Sequence, residues 1–397
     1  MTEQRLVLRH CGLIDPGDIA TWCARGGFHG LERARELVST QVVEVVKQSG
    51  LRGRGGAGFP VGLKWDMASK APGSEKYVLC NADEGEPGTF KDRYILEHDP
   101  FTLIEGIAIA CYAVGARSAY IYVRNEYHHL LDGLRQALRQ AQRTRDLGCR
   151  IEVWEGAGAY VCGEESALME SLEGRRGEPR FRPPFPPAQG LWGKPTIIDN
   201  VETLMNIPQI LAQGAAWFSG LGTEQSKGTK VFSVSGDVQR PGVYELIMGT
   251  PLRELVEELS GATSVKMVQV GGASGRVVPA ARLDTPLAFE TVLGAGSIIV
   301  YNDTRDALDV SLQTMEFFVE ECCGKCTPCR EGTLVMTETL ERIQRGQGRE
   351  QDLSNLLDLA ETMGLTSLCG LGQAASNCFV DTLQHFGEEY RGRLGAF

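Results

Sequence analysis

The segment Cys323-Gly-Lys-Cys326-Thr-Pro-Cys329 sets three thiols three residues apart, so one turning loop can present all of them to one corner of a cubane iron–sulfur cluster. The fourth iron needs a ligand from elsewhere. Cys369, in Ser367-Leu-Cys-Gly-Leu-Gly372, supplies one forty residues after Cys329. Two-cluster ferredoxins bring their fourth cysteine in only three residues on, so the spacing favours a single 4Fe–4S cluster. Tetrahedral zinc is the rival reading, but structural zinc usually pairs two Cys-x-x-Cys hooks and Cys369 has no such neighbour. Cys322 is adjacent to Cys323 and is expected to point away from it, outside the ligand set, and Cys378 is a weaker alternate. The other cysteines sit singly in apolar or Gly-rich surroundings, where a buried thiol is usually a small hydrophobe.

A second group of residues suits a phosphorylated, hydroxyl-rich ligand. Gly53-Arg54-Gly55-Gly56-Ala-Gly58 contains a G-x-G-x-x-G, but it follows a helix-like segment rather than a strand. No Gly-Lys-Ser/Thr follows it, so neither the dinucleotide fingerprint nor the P-loop applies. Bare glycines can mark a flexible turn. They also let backbone approach phosphate and flat rings, here beside the charges of Arg54 and Lys64. Asn81-Ala-Asp83-Glu84-Gly-Glu86-Pro-Gly follows an apolar run, and Tyr160-Val-Cys-Gly163-Glu164-Glu165-Ser opens a helix. Both are strand-end positions, where α/β folds bind ligands. Acids at helix starts can also be plain dipole partners.

These residues need a scaffold of more than one unit, because 397 residues exceed what one core accommodates. Apolar runs at Tyr77, Ser118 and Arg150 alternate with helical periodicity, which reads as a largely parallel α/β unit. A tract from Gly177 to Pro195 carries six prolines and forms an ordered wall. Near Lys227 a hairpin begins (Val231 to Gly236, then Val243 onward), followed by a helix at 251–260 and strands near 266–271 and 297–301. From Leu308 only helical periodicity remains. The expected division is 1–45 helical lead-in, 46–225 α/β domain, 226–305 small α+β domain and 306–397 helical domain carrying the cluster.

A net charge of −11 argues against a nucleic-acid partner. The start has no export signal and the longest apolar stretch, 103–116, is broken by Glu105, so a cytoplasmic chain without direct membrane insertion is expected. Twelve cysteines in such a chain point to metal rather than to disulfides.

With Gly190-Leu-Trp-Gly-Lys-Pro added to the motifs above, the chain resembles the NuoF-type flavin subunit of NADH dehydrogenases and the diaphorase subunits of NAD-linked hydrogenases and formate dehydrogenases. The resemblance covers nearly the whole length. It implies a Rossmann-like FMN domain, a β-grasp soluble-ligand-binding domain around Gly236-Asp-Val-Gln-Arg-Pro-Gly, and a C-terminal helical bundle holding the 4Fe–4S cluster. FMN is then expected among Gly53, Arg54, Gly55, Gly56, Lys64, Asn81, Asp83, Glu84, Gly163, Glu164, Glu165, Asp199 and Asn200. NAD(H) is the expected substrate: Phe59 and Phe185 resemble the aromatics around adenine, Tyr160, Glu86 and Glu165 resemble groups near the nicotinamide or its ribose, and Arg182 is expected among the substrate-binding residues. No side chain is expected to act as the chemical catalyst, since FMN turns a hydride into single electrons for the cluster. Other iron–sulfur subunits are implied as partners, a thioredoxin-like one among them, and these would supply any link to the inner membrane.

The chain departs from the family pattern at Asp199, where an asparagine is common, at Arg182, where lysine is usual, and at Met67, where some members carry an aromatic. An extra carboxylate at Asp199 would lower the flavin potential. A competing class of function is a non-catalytic ligand-binding or scaffold subunit with a purely structural cluster.

Overall fold

The structure, a computed structural model, describes residues 3–395. Three helices lead in: α1 (Ile19–Cys23), α2 (His29–Arg35) and α3 (Ser39–Gln48). The glycine loop joins α3 to α4 (Val61–Lys70), and then come β1 (Tyr77–Ala82), α5 (Lys91–His98), α6 (Pro100–Val114), β2 (Ser118–Val123), α7 (Leu131–Thr144) and β3 (Arg150–Glu155). After α8 (Glu165–Leu172) the proline tract runs into β4 (Thr196–Asn200), α9 (Val201–Gln213) and α10 (Ala215–Ser219). The four strands are all parallel in the order β3-β2-β1-β4. β1 is buried at every position but Asn81, which requires cover on both faces, as parallel sheets have. The strand β4, hidden in sequence behind Pro195, completes the sheet beside β1.

Much of that cover is α6, which is buried almost all round, as a central helix must be. Asp99 caps it by accepting from Thr102 N, Pro100 sits at its first turn, and Gly115 (φ 78°) ends it in the left-handed conformation. Its single acid, Glu105, is satisfied by Leu31 N at 2.9 Å. Where α6 crosses α9, a Cβ on Gly106 would lie 2.3 Å from Leu204 O, so only glycine permits the approach. Among the described residues no helix is long and apolar enough to cross a membrane.

A second sheet holds β5 (Thr229–Gly236), β6 (Gly242–Ile247), β7 (Val265–Val270), β8 (Arg276–Pro279) and β9 (Ser297–Asn302), in the order β6-β5-β9-β7-β8. It is antiparallel except for the β5/β9 pair. The helices α11 (Ala307–Glu321), α12 (Thr327–Gln344), α13 (Glu350–Thr366), α14 (Gly370–Ala374) and α15 (Asn377–Arg391) follow, with their own apolar core.

Ionic contacts, one set fully buried, join these parts. Glu202 in α9 accepts from Val231 N at 2.8 Å and pairs with Lys230 of β5 and Lys91 of α5, all three side chains being fully buried. Burial would raise the Glu202 carboxyl, but Lys230, Lys91 and Arg54 together hold it below the ordinary glutamate value. Arg276 of β8 forms a bidentate pair with Asp381 of α15 at 2.8 and 2.6 Å. Glu202→Ala strands the buried Lys230, while Lys91 keeps Asp92 at 2.7 Å, and is expected to cost about 3–5 kcal/mol, read as a lower urea midpoint. A loss below about 1 kcal/mol would mean that water relieves the lysine.

Candidate functional site

The C-terminal ends of β1 and β4 open onto a cavity of about 900 Å³, within the range of small-molecule sites. Its walls bring together residues that are far apart in sequence. They include the glycine loop, Lys64, Asn81, Asp83, Glu84, Glu86, the Tyr160–Glu165 segment, Arg182 and Phe185 of the proline tract, Asp199, Asn200 and Cys369. Of the residues expected from sequence to hold cofactor or substrate, only Arg54 stays off the wall.

Arg54 corrects the expectation of a cation beside phosphate. Its side chain is 0% exposed, and its guanidinium donates to the carbonyls of Arg52 (3.1 Å), Thr229 (3.0 Å) and Lys227. Burial lowers its pKa to about 10. It fastens the back of the glycine loop to the segment entering the second sheet, and its own N–H donates to Thr203 Oγ1 at 2.8 Å. The loop itself is bare for a reason: a Cβ on Gly55 would stand 3.0 Å from Asn200 Cβ, and Gly58 (φ 65°) leaves no room for one beside the Phe289 ring.

Most polar groups here are held by their own elements. Asn200 ends β4 and caps α9 by accepting from Glu202 N at 3.0 Å, while its amide donates to Asp92 at 2.6 Å. Asn81 links the end of β1 to the turn before α8, donating to Gly163 O at 2.8 Å and accepting from Asp83 N at 3.0 Å. Glu84 caps α5, accepting from Asp92 N and Arg93 N at 2.8 and 3.0 Å, and Glu164 caps α8 and pairs with Arg182. Asp199 is no free charge. One oxygen takes Lys64 Nζ at 2.8 Å and the other takes Trp65 Nε1 at 2.8 Å, which replaces the expected extra carboxylate by a paired one.

Two wall groups have no hydrogen-bond partner among the described residues. The Asp83 carboxylate accepts no hydrogen bond among the described residues, and burial raises its pKa to about 7 against the opposing charge of Arg124. The Thr89 hydroxyl, also on the wall, is buried without a partner. A glycine floor, an orphan hydroxyl and an orphan carboxyl in a cavity that Lys64 and Lys91 also line fit a phosphorylated, polyhydroxylated ligand with a flat ring. Phe59 and Phe185 stand half-exposed on the wall, with Met67. Glu165 pairs with Arg182 at 2.9 Å. Glu86 is less available than its sequence position suggests: it takes Tyr160 OH at 2.6 Å and Ser274 N and Oγ at 2.9 and 2.8 Å. Burial raises its pKa against those donors.

Sequence reasoning misses Thr89, Lys91, Asp92, Thr203, Ser274, Gly294, Leu368 and Gln373 on the same wall. The place of Lys91 and Asp92 just after the Asn81–Gly88 segment is the only signal that could have found them. Ser274, Gly294, Leu368 and Gln373 come from the second sheet and the helical part and carry no local signal.

The thiols gather at the far side. Cys326 is the residue before α12, Cys329 lies in that helix's first turn, and Cys369 precedes α14. Leu368 N donates to Cys326 Sγ at 3.4 Å. Lys325 N serves Cys323, and Leu371 N and Gly372 N serve Cys369. The Ser367 hydroxyl beside them is buried without a partner. A Cβ on Gly372 would meet Ser367 Oγ at 2.5 Å and Cys329 Cβ at 2.9 Å, so this glycine lets the two cysteine segments close on each other. Among the described residues no three potential ligands meet tightly enough for a single metal ion. Thiols spaced around a pocket and served by amide N–H groups suit a multi-iron cluster. Cys322 and Cys323 do diverge, into the helical core and the α/β core respectively, and this brings the Cys322 sulfur to 3.4 Å from that of Cys329. Cys378 packs elsewhere, against Thr314.

Comparison with known proteins agrees with this arrangement. The model of the Nuo51 FMN-binding domain matches residues 46–209, that of the NADH-ubiquinone oxidoreductase-F iron-sulfur binding region matches 309–393, and that of the SLBB domain matches 231–277. An F-type subunit of the NADH-quinone oxidoreductase of Rhizobium meliloti is 44% identical over 405 residues, covering 97% of this chain and 96% of the relative. The HndC subunit of the NADP-reducing hydrogenase of Solidesulfovibrio fructosivorans is 43% identical, covering 99% of this chain and 84% of the relative. Among solved structures, an NAD+-reducing [NiFe]-hydrogenase in its H2-reduced state superposes with a TM-score of 0.87 at 44% identity, over 90% of this chain. This chain spans 63% of that hydrogenase chain.

Asp199→Asn should leave the Lys64 charge unpaired at the cavity wall. A redox titration of the bound flavin is then expected to give a higher midpoint than wild type. An unchanged midpoint would mean that the Lys64–Asp199 pair is not felt at the ring.

Proposed function

The chain belongs to the NuoF-type family of flavin subunits, and from that premise we propose how its own residues carry electrons between NAD(H) and a partner subunit. It is an NADH-oxidising or NAD-reducing flavoprotein with FMN and one 4Fe–4S cluster. FMN, when bound, exchanges a hydride with nicotinamide, and the cluster carries one electron at a time.

The protein's part is to hold and to align. Lys64 and the glycine backbone would hold the phosphate and ring end, and Asn81, Asp83, Thr89 and Asn200 would bind the hydroxylated chain. Asp83 and Thr89 are the groups whose hydrogen-bonding capacity the fold leaves unused. Phe59 and Phe185 would bracket adenine, since both keep apolar surface open at the cavity. The Glu165–Arg182 pair would take the ribose or nicotinamide amide, with Tyr160 beside it. Glu86, bound by Tyr160 and Ser274, would orient Tyr160 more than touch substrate itself.

One observation supports the electron path above all: Cys369, an expected cluster ligand, lines the same cavity as the glycine loop. The cluster would be ligated by Cys323, Cys326, Cys329 and Cys369. In this reading 46–225 is the Rossmann-like FMN domain, 226–305 the β-grasp domain and 306–397 the cluster domain. The receiving partner would be an iron–sulfur subunit, with a thioredoxin-like subunit of the 24-kDa type in the same complex. Any membrane association would run through such partners.

Glu165→Gln is expected to raise the KM for NADH about tenfold in a ferricyanide assay while FMN stays bound, the size of one charge-assisted hydrogen bond. Loss of flavin with unchanged KM would contradict the role. Cys369→Ser should lower bound iron and alter or abolish the cluster's EPR signal while FMN is retained. Full iron with a native signal would remove Cys369 from the ligand set.

A further inference from the structure

Cys322 is the one cysteine of the cluster loop to which neither the spacing nor the family gives a role. It caps the C-terminal end of α11, in extended backbone (φ −65°, ψ 122°). Its sulfur lies 3.4 Å from Cys329 Sγ and receives Gly324 N at 3.4 Å. It packs with Cys326, Cys329 and Cys369 against the helical core, whereas Cys323 packs against the core of the α/β unit near Val161.

Two sulfurs in contact cannot serve two irons of one cubane, because the corners hold their thiolates farther apart than a sulfur–sulfur contact. Cys322 and Cys329 are therefore ligand and neighbour, not two ligands. The other three expected ligands each receive a backbone N–H: Cys323 from Lys325, Cys326 from Leu368, and Cys369 from Leu371 and Gly372. For Cys329 the partner is Cys322. Once Cys329 is a metal-bound thiolate it has no proton to give, so the hydrogen bond must run from the Cys322 S–H to Cys329 Sγ.

We propose that Cys322 is a positioning residue for the cluster, whose thiol donates a hydrogen bond to the ligand Cys329 and thereby raises the cluster's reduction potential. Donors to cluster sulfurs draw off the negative charge that builds up on reduction, and they act most strongly where water is scarce. Cys329 is buried and Cys322 half-buried, so bulk water is a poor substitute for the lost donor. The effect sets how readily the cluster takes an electron from the flavin cavity behind Cys369. The inference rests on the cluster reading above and adds to it a group that binds no iron.

The test is an EPR-monitored redox titration of the full chain purified without oxygen, together with iron and sulfide analysis, for wild type, Cys322→Ala, Cys322→Val and Cys322→Ser. The alanine and valine variants should keep wild-type iron and shift the cluster midpoint to lower potential. The serine variant keeps a donor and should recover most of the shift. An unshifted midpoint in both apolar variants, or a serine variant shifted as far as alanine, would overturn the proposal. Loss of iron from the apolar variants beside a Cys323→Ala protein that keeps its iron would overturn it too, by making Cys322 the ligand. Wild-type protein that binds no iron would refute the cluster reading itself, a distinguishable failure.

Discussion

In the electron path proposed above, the cavity and the cluster share one turn of backbone around Cys369, which lines the cavity wall. The segments beside that turn are held by side chains from both. The Tyr160–Glu165 segment is fixed to the end of α11 by Tyr160 N on Glu321 at 3.0 Å and by the Tyr160 ring against Phe317. Lys325, inside the cysteine loop, donates to Pro179 O at 2.7 Å and Glu178 at 3.0 Å, and Arg176 holds Cys323 O at 2.6 Å. The proline tract is thus wall for the cavity on one side and anchor for the cluster loop on the other.

The second sheet enters the same construction from behind. Arg54 and Glu202 tie it to the floor of the cavity, Ser274 ties it to Glu86, and Arg276 ties it to α15. Several groups that look chemical in sequence are spent on this assembly. Glu84 and Glu164 cap helices, which satisfies amides that a helix start leaves open. Asp199 neutralises Lys64. Of the groups left without a hydrogen-bond partner among the described residues, Thr89 and Asp83 lie on the cavity wall and Ser367 beside the thiols.

How much of this is legible in the sequence follows from the range of each signal. The parallel strands at Tyr77, Ser118 and Arg150 announce themselves as apolar runs, and the cysteine spacing points to the loop and to distant Cys369. β4 and β8 do not, being four or five residues long and bordered by or ending in proline. Arg54 misleads because a cation in a glycine loop looks the same in sequence whether it faces phosphate or a row of carbonyls. The rule that neighbouring side chains diverge holds for Cys322 and Cys323, which pack into different cores, but it carries no information on the contact that Cys322 then makes with Cys329. Ser274 and Leu368 lie outside reach, since only the docking of separate units brings them to the cavity.

The central claim, that the cavity and the cluster form one electron path within this chain, is tested most directly by adding NADH to the anaerobic protein and recording flavin absorbance and EPR on the same sample. The account predicts that the flavin band bleaches and a reduced-cluster signal appears, one cluster per flavin, without any added mediator. A bleached flavin beside a cluster that stays oxidised, yet is reduced by a mediator poised at the NADH potential, would contradict it.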